Sequence, residues 1–343
     1  MKRGVGVFHR GVPAAIVAII SSLVLSSGCT KKGPVAADST PVFLDENRPR
    51  YEEGLARARA WLDALVVDPL ELRRHGIKGK KKLVELFDTY VRLHEIAPVE
   101  ERPALMQRMK EVVSITYEPR YHDMAVVDDK AFKQDATSYL RAAYLMEGAG
   151  LDTRLYREEI LKIKGRLDGH MPRRGPNQHM AFSWYYGHFG LDEPYPLAER
   201  YQGGVIAGRK DPESFKRMEA YHLTHEVFMA YQYGEKLDSD FFGDDDRIYL
   251  ENALELLTVR YIDRRDFDLT GEFVSCMTYL GFTDVPLYRR ALSMLLDGQN
   301  EDGTWGDYER YRPKYGDYVK QGWYLHTTGV VIDGLSIAFD FEG

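Results

Sequence analysis

The second half of the chain repeats a two-helix pattern at a spacing near fifty residues, and this period limits the folds open to it. Charged, amphipathic stretches at 244–262 and 286–298 alternate with compact stretches rich in aromatic and small residues at 177–190, 270–282 and 321–339. An amphipathic helix wants one wet face, whereas a helix that is apolar all round wants burial on most sides. The alternation therefore predicts helical hairpins, each with an outer and an inner helix. Apolar spacing predicts further helices over 50–68, 80–96, 99–117, 128–150, 152–167 and 211–234, and strand signals are scarce. Asp211 followed by Pro212 reads as an N-cap and first turn, and many of the helices close on glycine. The expectation is an all-α domain over residues 50–343, built from five or six hairpins. Closed into a ring, such hairpins make an α/α toroid, with residues 50–117 as an N-terminal helical extension.

What precedes this domain reads as targeting. Lys2, Arg3 and Arg10 form a basic leader, followed by an apolar run from Val12 to Leu25. That run is shorter than the roughly 20 residues a membrane span needs. The segment ends "LSSGC", which resembles a bacterial lipobox, although Ser26 stands where that motif places a leucine. The resemblance implies cleavage before Cys29, lipidation of Cys29, anchorage to the lipid bilayer and residence in the bacterial cell envelope. Residues 29–49 are polar and rich in Pro, Ser and Asp, and read as a flexible tether.

Charge excludes one large class of partner. The formal net charge is −7, and residues 1–28 hold three basic and no acidic residues, so the processed chain would carry −10. The short "KGKKK" run at 78–82 reads as a solvated helix start. Nucleic-acid binding is disfavoured. With Cys29 lipidated, Cys276 is the one remaining thiol and no internal disulfide can form.

The loop "QNEDGTWG" (299–306) resembles the Gln-Trp repeats of terpene cyclases and other α/α toroid proteins, with a weaker echo in "RLDGHMPRRG" (166–175). The resemblance implies that Gln299 and Trp305 pin neighbouring hairpins, a structural role. The stretches "YHLTHEVFMAYQYG" and "YLHTTGVVIDGL" are similar to segments of an uncharacterised bacterial family of toroid proteins.

His225, Cys276 and His326 stand 51 and 50 residues apart, matching the hairpin period. If inner helices face a shared cavity, the three side chains converge there. Thiolate and neutral imidazole suit zinc, and three protein ligands with an open position describe a catalytic site. Counted back from the next glycine of each helix, Glu272 keeps the register of the two histidines better than Cys276 does, so either is a third ligand. His222 shares the face of His225 as a further ligand or supporting donor, and Asp333 lies deeper on the helix of His326. Glu272 and Glu226 are the nearest general-base candidates. The pattern resembles protein prenyltransferases, which hold zinc with Asp, Cys and His, and lanthionine synthetase cyclases, which use two Cys and one His. The paired cysteine segments of those families are absent, so no activity carries over.

These observations support a zinc-dependent hydrolase or transferase-like activity acting on a small molecule or polysaccharide. Two alternatives stand beside it. One is a lipoprotein whose cavity holds a ligand or partner without catalysis. The other is a carbohydrate-active toroid enzyme using paired carboxylates, suggested by Trp184, Tyr185, Tyr186, His179 and His188 in "NQHMAFSWYYGHFG".

Overall fold

Apolar residues at helical spacing set the elements. In the helix over Gly79–Ile96, Leu83, Leu86, Phe87, Tyr90 and Leu93 are buried along one side, as the 3.6-residue repeat requires. The computed structural model describes residues 39–192 and 201–340, all within one compact unit. The described residues form α1 (Thr40–Asp63), α2 (Pro69–Arg74), α3 (Gly79–Ile96), α4 (Arg102–Val112), α5 (Asp129–Gly148), α6 (Arg154–His170) and α7 (Pro176–Phe189). Then follow α8 (Arg217–Ala230), α9 (Asp244–Asp263), α10 (Phe267–Leu280), α11 (Pro286–Asp297), the short α12 (Arg312–Tyr315) and α13 (Leu325–Asp340). The chain is all-α, and among the described residues β-pairing is confined to an isolated bridge between Gln299 and Trp305.

Six helices contact one another in a closed cycle: α3 packs on α5, α5 on α7, α7 on α8, α8 on α10, α10 on α13, and α13 back on α3. A second layer lies behind them. Helix α4 packs on α3, α6 on α5, α9 on α10, α11 on α10 and α13, and α1 on α11 and α13. The inner position explains the composition of α10, where thirteen of fourteen residues are buried because both layers and both neighbours cover it. Helices α10 and α13 meet at glycines. A Cβ on Gly334 would lie 2.8 Å from the Gly271 carbonyl oxygen, so only glycine admits this approach.

Side-chain pairings fix the helix directions. Arg217 at the start of α8 pairs with Asp268 near the start of α10, and His326 at the start of α13 meets the same Asp268. Late in the helices, Arg92 of α3 pairs with Asp333 of α13, and Arg141 of α5 pairs with Asp88 of α3. His188, late in α7, meets Glu147 and Tyr144, late in α5. Early residues meet early residues and late meet late, so the inner helices run in one sense, with their N-termini at one end.

The loop after α11 does what its sequence implies. Gln299 Nε2 donates to the Gly54 and Gly303 carbonyls at 2.8 and 3.0 Å, and Trp305, 2% exposed, donates Nε1–H to Leu295 O at 2.8 Å. Gly303 sits at φ +89°, and a Cβ there would stand 2.4 Å from Arg57 O.

Three expectations need correction. Residues 40–49 belong to α1 rather than to a tether. Phe43 and Leu44 pack on the core, Thr40 Oγ1 donates to Thr283 O and Arg48 pairs with Asp340, and these tertiary contacts outweigh the helix-breaking tendency of Pro49. Residues 50–117 are not an extension, since α3 closes the inner cycle. Asp211 caps a single turn at Pro212–Ser214 through Glu213 N, while α8 begins at Arg217. The leader and Cys29 lie outside the described residues. No helix among the described residues is long and apolar enough to cross a membrane.

Candidate metal centre

The inner helices line a cavity of about 1410 Å³. Within it, one ligand atom each from Asp268, Glu272 and His326 lies within 4.8 Å of the others. This buried Asp/Glu/His group can hold a metal ion. Asp266 N-caps α10 through Leu269 N at 3.2 Å, which sets the helix start so that Asp268 and Glu272, one turn apart, share the cavity face. His326 comes from the first turn of α13, the closest-packed neighbour of α10.

Both ring nitrogens of His326 face carboxylates. Nδ1 lies 3.1 Å from Glu85 Oε1 and Nε2 lies 3.3 Å from Asp268 Oδ1. Asp268 Oδ2 is held by Arg217 at 2.5 Å, while Oδ1 is buried without a hydrogen-bond partner. Glu85 is in turn neutralised by Lys82 at 2.8 Å and Lys81 at 3.3 Å. Glu85 Oε1, like Asp268 Oδ1, has no hydrogen-bond partner, and both carboxylates can only accept, so each ring nitrogen faces an acceptor. A proton or a metal ion on Nε2 satisfies both that nitrogen and Asp268. The order carboxylate, histidine, open ligand position is the usual supporting arrangement of a metal-bound imidazole.

The two carboxyls of α10 are driven apart. Burial works to raise Asp268, but His326 first, then Arg217 and Lys81, hold it below the ordinary carboxylate value. Burial and the negative charge of Asp268 push Glu272 well above that value, against the opposing pull of Thr224 and Arg217. Thr224 Oγ1 donates to Glu272 Oε2 at 2.5 Å. Asp268 thus gives up its proton before Glu272 does, as two close like charges require.

His225 stands beside this group. Its Nδ1 lies 3.8 Å from Glu272 Oε2 and 3.0 Å from Tyr221 O. The carbonyl only accepts, so Nδ1 carries the proton and Nε2 is free. Burial, then the charges of Lys81 and His326, hold its pKa down to about 3, and its ring packs on Tyr221 at 3.7 Å.

Of the expected ligands His225, Cys276 and His326, the structure brings only His326 into the Asp268/Glu272 group; His225 stands beside it and Cys276 is turned away. Cys276 is fully buried and does not line the cavity; its thiol lies 3.8 Å from Thr224 O, against α8. It sits one turn beyond Glu272, the register alternative, and Glu272 occupies the cavity wall instead. His222 does not line the cavity either, although three residues from His225; it lies near Glu219 and Lys210, with burial lowering its pKa. Glu226 is no general base for this cavity. Its carboxylate accepts the Val205 and Ile206 N–H groups at 2.9 and 3.1 Å on the far side of α8. Asp333 does line the cavity, deeper, in its pair with Arg92. His179 is bonded to Met171 O and His188 to Glu147. Sequence reasoning missed Asp268 and Glu85. The spacing Asp-x-x-x-Glu over 268–272, which puts both carboxyls on one helix face, was the available signal for the first.

The model of a domain of unknown function, DUF6895, matches residues 81–314. That span covers Glu85, His225, Asp268 and Glu272, with His326 just beyond it. No curated protein and no solved structure matches the chain. The match takes in well over half of the sequence, and the chain belongs to the DUF6895 domain family.

Proposed function

We propose that the protein is a metal-dependent enzyme of the cell envelope, with a divalent ion held by Asp268, Glu272 and His326 and hydrolysis as its reaction class. The observation that carries the reading is the buried, partnerless Oδ1 of Asp268 aimed at His326 Nε2, with Glu272 alongside. Two oxygens and one imidazole nitrogen favour zinc or a similar borderline ion. Three protein ligands on one wall leave the cavity side open for water or substrate, and a metal-bound water there would have a pKa near 7. His225, held neutral beside the group, offers Nε2 as a hydrogen-bond acceptor that would orient such a water. The closed cycle of six inner helices supports an α/α toroid as the architecture that brings these residues together.

The test is metal content after purification without chelator and after zinc loading. Wild type should hold about one ion per chain. Asp268→Asn and His326→Ala should hold almost none while keeping wild-type helical circular dichroism. A wild-type protein that takes up no divalent ion under either condition defeats the proposal.

A second reading draws on the split carboxyl pair. Asp268, which ionises first, and Glu272, which keeps its proton to higher pH, also make an acid/base pair of the kind that works on glycosidic bonds without metal. Activity that survives exhaustive chelation and is lost in Glu272→Gln would select this reading over the first.

Anchorage is a separate proposal, supported by the leader and the "LSSGC" segment. Lipid labelling of wild type that persists in Cys29→Ser would rule it out.

A further inference from the structure

The two ends of the cavity differ in charge balance. At the C-terminal ends of the inner helices each cation of the wall has a carboxylate: Arg92 pairs with Asp333 and Glu95, both at 2.8 Å, and Arg141 with Asp88 at 2.6 Å. At the N-terminal end, Lys78, Lys130, Lys133, Arg174, Arg264 and Arg265 line the wall, and none has a carboxylate partner among the described residues. Arg174 donates only to Lys133 O at 3.0 Å and Thr137 Oγ1 at 3.4 Å, and its Nε is buried with no partner. Burial, together with the nearby charges of Lys81 and Arg174, holds the Lys78 ammonium below its usual value. A chain of net charge −7 thus concentrates unpaired cations at one rim. The N-termini of the six inner helices point the same way and add partial positive charge.

These cations come from four places around the cycle: before α3, on α5, before α7 and before α10. They do not converge as a single-phosphate cradle does. The cavity, at about 1410 Å³, exceeds the 300–1,000 Å³ usual for small ligands. Its rim also carries Trp323, stacked on Tyr311 at 4.8 Å, and the amides of Gln134 and Asn177. Spaced cations, an aromatic ring and neutral amides suit a ligand with several separated negative charges on a ring-bearing backbone. We infer that the ligand is an acidic oligosaccharide bearing carboxylate or sulfate groups, entering at the N-terminal end. This rests on the cavity being the functional site, but not on whether metal or a carboxyl pair does the chemistry there.

The experiment is calorimetric titration with oligogalacturonate (carboxylate), heparin oligosaccharide (sulfate), methyl-esterified oligogalacturonate (neutral) and a single-stranded oligonucleotide. It is run on metal-free Asp268→Asn as well as wild type, so that failure of the metal reading leaves this test intact. At least one acidic glycan should bind, at least tenfold more weakly in Lys130→Glu/Lys133→Glu and at raised salt, while the esterified chain binds at least tenfold less. The carboxylate and sulfate arms distinguish which group is read. Absence of binding to both acidic glycans overturns the proposal, as do equal binding of the neutral chain and tighter binding of the oligonucleotide. Both substituted lysines are exposed, and the salt series on wild type gives the same answer should the variant misfold.

Discussion

Nε2 of His326 lies 3.3 Å from Oδ1 of Asp268 and Nδ1 lies 3.1 Å from Oε1 of Glu85, and neither oxygen has a hydrogen-bond partner. The imidazole is thus oriented from behind by a carboxylate that is itself fixed by Lys81 and Lys82. Glu85→Gln keeps an acceptor for Nδ1–H but removes the charge that makes the ring a better donor of its lone pair. Zinc affinity should fall about 10–100-fold, the usual cost of losing such support, with stoichiometry unchanged. Competition against a chelator of known affinity measures this. An unchanged affinity would mean that Glu85 matters only to its lysines.

Metal binding should release a proton. Glu272 is held well above the ordinary carboxylate range by burial and by Asp268, so the metal-free site carries a proton above the pH at which a free glutamate loses it. A cation entering the site must displace that proton. Affinity should therefore rise with pH until the free site ionises, and calorimetry in buffers of different ionisation enthalpy should register the release. In Glu272→Gln the release from this group disappears and binding weakens. A pH-independent affinity in wild type would place the ion elsewhere.

Cys276 should be inert. Burial pushes its thiol well above its usual value, and it is closed off behind the α10 surface. A thiol reagent should react only on unfolding. Cys276→Ala should leave metal content unchanged and cost about 1–2 kcal/mol of stability for the lost packing, read from thermal melts. Loss of metal in a folded Cys276→Ala protein would restore the thiol as a ligand.

The legibility of the site in the sequence follows from the environment of each helix. The period near fifty located α8, α10 and α13 because inner and outer helices have different solvent demands, and His225 and His326 were found on it. On α10 the same reasoning could not choose a face. With thirteen of fourteen residues buried, no polar stripe marks the cavity side, so Cys276 and Glu272 looked equivalent until counted from Gly281. Glu85 was hidden for the opposite reason. It sits three and four residues from Lys82 and Lys81, which reads as an exposed helical ion pair, and it makes those pairs while also reaching His326. Residues 40–49 looked like linker by composition because the groups that order them, Thr283 and Asp340, lie some 240 and 290 residues away in sequence.

Glu226 supplies a stability signal independent of the cavity. It is 1% exposed, its carboxylate holds the Val205 and Ile206 amides, and a Cβ on Gly204 would stand 2.6 Å from it, so loop and helix are in close contact. Burial raises its pKa to about 7, against the lowering effect of the two backbone bonds. The folded-state pKa thus lies above the unfolded one, near 4.5. The folded protein binds the extra proton between those values, and this contribution to stability is complete at low pH and lost as pH rises through 7. At 1.36 kcal/mol per unit, the loss by pH 8 is roughly 3 kcal/mol. Glu272 and other groups titrate in the same direction, so the quantity to read is the difference between wild type and Glu226→Gln. The wild-type melting temperature should fall more steeply from pH 5 to pH 8 than that of the variant, which carries no titrating proton at this position. Parallel curves would show that the carboxylate is already ionised in the folded protein, stabilised by its two amides against the cost of burial.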